Sequence, residues 1–189
     1  MISRHCVAAT AVLTVFGVGM GLTPAAAAGD SAVLTPDAKV MKVFRNGKVK
    51  TTALKPAKFS ANVFTFPAAL EGGNVPLSGG MAMKKGKSLV KLSSLVVHPG
   101  TGALDAQVYV KESKQPMPMS LTVPGLMTVT GGTNQLADKG TWSGATVKLS
   151  KSVVITGNTW DPAKLLGDTL GVKLKKGAKF AKVTITIAK

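Results

Sequence analysis

The sequence predicts a mainly β fold, an antiparallel β-sandwich or partly closed barrel with two short helices. Three observations carry this expectation. Apolar and polar residues alternate with period two: Leu104, Ala106, Val108 and Val110 stand against Asp105, Gln107, Tyr109 and Lys111, and Val183, Ile185 and Ile187 against Lys182, Thr184 and Thr186. Apolar runs are short and closely spaced, divided by Gly, Pro, Asn and Asp clusters, as in sandwiches and small barrels. Helical spacing is confined to two brief stretches.

The first 28 residues are expected to be a leader. Arg4 and His5 give a basic start, residues 7–22 are apolar and uncharged, and Ala26-Ala27-Ala28 fits a small-x-small cleavage site before Gly29. That apolar run is short for a membrane span, and no second run of spanning length follows. Cys6 lies too early to be a lipid-modified cysteine. Removing 28 of the 189 residues leaves 161, without cysteine, as one expected domain over 29–189. A chain of that size buries about 70% of its unfolded surface and needs no disulfide staples.

In chain order, SAVL suggests a first short strand. Thr35-Pro36-Asp37 reads as an N-cap, an N1 proline and an early acid, opening a helix over 36–45 with Val40, Val43 and Phe44 at helical spacing. Asn46-Gly47 should end it through a left-handed C-cap. Val63, Phe64 and Phe66 then suggest a strand stopped at Pro67. Further strands are expected over 77–83, 88–98, 103–111, 117–123, 126–130, 145–155 and 179–188. Within NTWDPAKLLGDTLG, Asp161 caps a second helix, Pro162 occupies its first turn, Leu165, Leu166 and Leu170 share a face, and Gly171 stops it.

Charge is the strongest compositional signal. The whole chain carries a formal +16; without Arg4 the remainder has 23 basic and 8 acidic groups, or +15, and Arg45 is then its one arginine. Specific nucleic-acid readers rely on arginine forks and stacked aromatics, which this composition does not favour. Lysine is a flexible point charge that attracts polyanions without selecting among them. The densest group is Lys173, Lys175, Lys176, Lys179 and Lys182, in a turn leading into the last strand. Alternation there would set Lys173 and Lys175 on one face and Val172 and Leu174 on the other.

His98 and Tyr109, the one histidine after the leader and the one tyrosine, share a hairpin. With a four-residue loop over 99–102, His98 faces Ala103 and Tyr109 faces Leu92. Six residues then separate the two along the ladder, about 20 Å, too far for a joint site on one metal or haem iron. Either could still act alone as an axial ligand. A zinc or iron cage has too few converging donors. Met81-x-Met83 and Met117-x-Met119 could offer thioethers to copper(I) but equally suit a sheet core. Ser88-Leu-Val-Lys91 matches S-x-x-K, yet on a strand the two side chains leave opposite faces. Glu71 and Glu112, the two glutamates, could pair as acid and base only if the fold joins them. No catalytic site and no resident metal are expected.

The order of the pieces resembles the HtaA-domain family of exported actinobacterial proteins. The matching positions are Pro56-Ala57, Phe66-Pro67, Gly79-Gly80, Leu92, Leu95-Val96-Val97, and Leu104 with Ala106, followed by the closing strand, leucine helix and last strand after residue 147. The resemblance covers roughly 32–188. It implies a β structure with small helices, an export route and, in haem-taking members, a tyrosine near the first helix with a histidine deeper in the chain. Here TPDAKVMKVFRNG holds no tyrosine and Phe44 cannot ligate iron, so haem contact does not carry over. The expected function is therefore that of a secreted or cell-wall-associated, non-catalytic protein whose lysines hold anionic envelope polymers or polysaccharide. A haem or porphyrin carrier with altered ligands is the alternative.

Overall fold

The computed structural model describes residues 29–113, 117–134, 136 and 139–188. The expected leader, residues 1–28, lies outside them. The elements run β1 (Ser31–Pro36), α1 (Ala38–Asn46), β2 (Lys50–Leu54), β3 (Lys58–Ser60), β4 (Val63–Pro67), β5 (Val75–Lys85), β6 (Ser88–His98), β7 (Ala103–Lys111) and β8 (Met119–Thr130). They continue with β9 (Thr133–Asn134), β10 (Gly140–Leu149), β11 (Val153–Ile155), β12 (Asn158–Trp160), α2 (Pro162–Leu170) and β13 (Lys179–Ile187).

One antiparallel sheet of 11 strands takes the order β2-β5-β6-β7-β8-β10-β13-β1-β4-β3, with short β9 beside β10. β4 then returns alongside β5 through the Ala68–Leu77 bridge and the Glu71–Asn74 turn, so the sheet curls into a nearly closed barrel. Strands β11 and β12 form a separate hairpin. Among the described residues no helix is long and apolar enough to cross a membrane.

Period-two alternation fills the barrel. Leu104, Ala106, Val108 and Val110 of β7 are buried, as are Val183, Ile185 and Ile187 of β13, while their alternates face outward. Phe64, Phe66, Met81, Met83, Leu92, Leu126 and Met127 are among the largest fully buried side chains. Met81 and Met83 are thus core residues, whereas Met117 is exposed and Met119 half-buried. Helix α2 lies against β5 and β6 and buries Leu166 and Leu170 in the same core.

Several boundaries differ from those expected. Thr35 and Pro36 belong to β1, where Pro36 lies opposite Ala181, and Asp37 is the N-cap, its carboxylate accepting from the Lys39 amide at 2.9 Å. Pairing of β1 with β13, which runs on to Pro36, extends the strand and delays the helix. Gly47 is not left-handed, with φ at −79°; Lys48 is, at 57°, and the Val49 amide bonds back to the Phe44 carbonyl. Glycine is needed at 47 because a Cβ would stand 2.3 Å from Val172 Cγ1. The second helix follows expectation, with Asp161 as N-cap and Gly171 left-handed at φ 56°.

The segments expected over 117–123 and 126–130 are one strand, β8, bulged where Gly125 turns left-handed. Conversely 145–155 divides between β10 and β11. Strands β2, β3, β9 and β12 carried no sequence expectation. They are five residues or fewer, too short to show a period.

Candidate functional site

Helix α1 and the approach to β13 are brought together by the strands flanking them. β1 pairs with β13 along its whole length, and the Asp37 amide donates to the Phe180 carbonyl at 2.8 Å. The start of α1 therefore sits directly over the segment that precedes β13. That segment is pinned at both ends. The Val172 amide bonds the Gly167 carbonyl, Ala178 closes a turn onto the Lys175 carbonyl, and the Leu149 amide of β10 bonds the Ala178 carbonyl. Gly177, at the turn's tip, takes φ 66°.

Between these pieces lies a groove of about 720 Å³. Val40 and Val43 of α1, with Leu174 and Ala178, supply its apolar lining. Lys39, Lys173, Lys175, Lys176 and Lys179 form its rim. Asp37 is the one carboxylate lining it, and it is occupied by capping α1 and by Lys179 Nζ at 3.8 Å. The first turn of α1 adds the positive end of a helix dipole. The result is a cationic rim over an apolar floor.

Four of the five lysines singled out from the sequence meet here. Lys173 and Lys175 do point outward while Val172 and Leu174 are half-buried, although residues 172–176 form no strand. Lys182 is exposed on β13, between Thr35 and Thr146 on the neighbouring strands, and is not part of the groove. Sequence reading missed Lys39, Val40 and Val43 as site residues. Their helical spacing was visible, but only the β1–β13 pairing sets them opposite the lysine turn.

The hairpin residues are placed differently. His98 lies opposite Ala103 as expected, but Tyr109 lies opposite Lys91 rather than Leu92. Ser94, left-handed at φ 48°, inserts one extra residue into β6 and shifts every later pair by one. The six-residue offset along β7 remains, so about 20 Å still separates the two. Both ring nitrogens of His98 are engaged, Nδ1 with Asn74 Oδ1 at 2.8 Å and Nε2 with Asp105 Oδ2 at 3.0 Å. An ionised Asp105 only accepts, so Nε2 donates to it; Nδ1 of a neutral ring then accepts, which calls for the Asn74 amide turned so that its NH2 donates. The other Asp105 oxygen accepts from the Gly125 amide at 2.6 Å. Tyr109 is half-buried on the outer face with Lys91 Nζ 5.2 Å from its ring centre.

Among the described residues no joint His–Tyr ligand set for a haem iron forms. His98 has no free nitrogen, Tyr109 stands apart from it, and the groove lining includes no His, Tyr, Cys or Met. Among the described residues no group of three or more His, Cys, Asp or Glu could hold a metal ion. Ser88 is buried and Lys91 faces outward, on opposite faces of β6. Glu71 stands in the β4–β5 turn and Glu112 beside Trp160 and α2, so the structure does not join them.

No family model and no curated protein matches the chain. Among solved structures it is similar to the C-terminal domain of HtaA from Corynebacterium glutamicum, at 12% identity and a TM-score of 0.48, covering 84% of this chain and 97% of that one.

Proposed function

We propose that this chain is an exported, non-catalytic binding protein that holds anionic polymers of the cell envelope, or acidic polysaccharide, at the lysine-rimmed groove. One observation supports this most directly: five lysines converge on one groove whose single carboxylate is already engaged. A net +15 over residues 29–189 adds a long-range field that draws polyanions toward it. Retention on purified cell wall and on heparin tests the reading. Changing Lys173, Lys175 and Lys176 together to Gln should lower retention while leaving the melting temperature nearly unchanged, because exposed charges contribute little to folding. Full retention by that variant would overturn it.

The apolar floor favours a second reading, carriage of a porphyrin. Val40, Val43, Leu174 and Ala178 would cover part of the ring and the rim lysines would meet its carboxylates. Since the groove offers iron no ligand, metal-free protoporphyrin should bind as well as hemin. Clear preference for hemin would remove this reading.

A further inference from the structure

The groove is not isolated. A second depression of about 410 Å³ adjoins it at Gly177, lined by Lys148, Lys151, Thr128, Ser150 and Ser152. Gly177 borders both, and a Cβ there would stand 3.5 Å from Lys151 Cγ. Across the ladder between them, Lys148 of β10 lies directly opposite Lys179 of β13. Like charges in that relation destabilise a sheet. Lys179 has a carboxylate neighbour, Asp37, at 3.8 Å. An unfavourable pair in the sheet joining two basic depressions is accounted for by a ligand whose negative charge lies over both.

We propose that the two depressions form one continuous track for a linear phosphate polymer; this rests on the polyanion reading above and names its ligand class. Each compartment has the size of a small-molecule site, so a single small anion would leave the other empty. A chain with charge at every repeat fills both. The lining residues also separate phosphate chains from other polyanions. Neither compartment contains Phe, Tyr or Trp, so neither sugar rings nor bases find a stacking platform. Neither contains arginine, so planar carboxylates find no two-pronged partner, whereas lysine serves phosphate as a point charge. Thr128 and Ser152 add hydroxyl donors beside Lys148 and Lys151.

The test is a binding titration of the purified chain with inorganic tripolyphosphate and with long-chain polyphosphate, at low salt. Long chains should bind at least about tenfold more tightly per phosphate, because the second compartment is filled at high effective concentration. The double variant Lys148→Gln with Lys151→Gln should weaken long-chain binding by about fivefold or more, roughly one point charge's contribution in water, and leave tripolyphosphate within twofold. The Lys148→Arg, Lys151→Arg variant should retain long-chain binding. Equal affinity per phosphate for both probes, or an unaffected Gln variant, overturns the track while leaving the groove reading intact. Tighter binding of heparin or single-stranded DNA at matched charge overturns the phosphate assignment. Absence of binding to every polyanion overturns the proposed function itself.

Discussion

Replacing His98 with Ala asks whether this residue is a ligand or a brace. The ring ties Asn74, in the turn between β4 and β5, to Asp105 on β7, and Asp105 in turn holds the Gly125 amide at the β8 bulge. His98 and Asp105 together therefore link the β4–β5 turn, β6, β7 and the β8 bulge. A net hydrogen bond contributes about 0.5–1.5 kcal/mol, and charge-assisted bonds somewhat more. The side chains of His98 and Asp105 are 25% and 32% exposed, so water replaces part of what is lost. Two bonds so discounted give about 1–2 kcal/mol. For a domain of this size that lowers the melting temperature by about 2–8 °C. Tyr109→Phe removes a hydroxyl but keeps the ring under Lys91, and should change stability by about 0.5 kcal/mol or less. Circular-dichroism melts measure both, and hemin titration of the same samples measures ligation. A Soret band that both variants abolish equally, with both still folded, would refute the structural role and establish a joint site. An unchanged melting temperature for His98→Ala would show that the brace contributes nothing.

Four further outcomes follow from the core, the backbone and the surface. Leu92→Ala empties a fully buried barrel position and should cost about 3–4 kcal/mol in urea unfolding, with an unchanged m-value. Gly79→Ala should cost about 2 kcal/mol or more, since its φ is 95° and the new Cβ would stand 2.5 Å from the Leu54 carbonyl and 2.6 Å from the Ala57 amide. Retention on heparin should fall steeply between 0.1 M and 1 M salt as the screening length drops from about 10 Å to about 3 Å; persistence at 1 M would place the binding elsewhere. Lys164 has its pKa raised by the hydrogen bond and charge of Asp168, so this pair's contribution is complete below the ordinary lysine value and lost only as pH rises through the raised one. Because the pair is exposed, Lys164→Gln should leave the melting curve at pH 7 unchanged.

Much of the barrel was legible because its long strands repeat one rule. β6 and β7 each carry four or more inward apolar positions, enough for alternation to fix their boundaries to the residue. α2 was legible for a different reason, a cap, a proline and a stop glycine packed into eleven residues. What escaped were features set by partners distant in sequence. Whether Pro36 ends a strand or begins a helix depends on Ala181 across the ladder. The Ser94 bulge shows only as a phase slip, the inward apolar positions stepping from Leu92 to Leu95, and serine is not an obvious left-handed residue. Yet that single insertion decides that Tyr109 meets Lys91 and not Leu92.

The same distinction explains how far the groove could be read. Density of lysine between 173 and 182 is a local property, and four of those five side chains do share a site. Its other wall comes from residues 37–43, and its neighbour from residues 148–152, neither close in the chain to the turn they surround. Both are placed by β13, which pairs with β1 on one side and β10 on the other. The last strand is thus the organiser of the basic face. It carries α1 to one flank of the lysine turn through the Asp37–Phe180 bond, and Lys148 to the other through its register with Lys179. A one-residue change of that register would turn Lys148 toward the core. The bulge between Val147 and Lys148, where the pairing steps past Phe180, therefore positions the second depression.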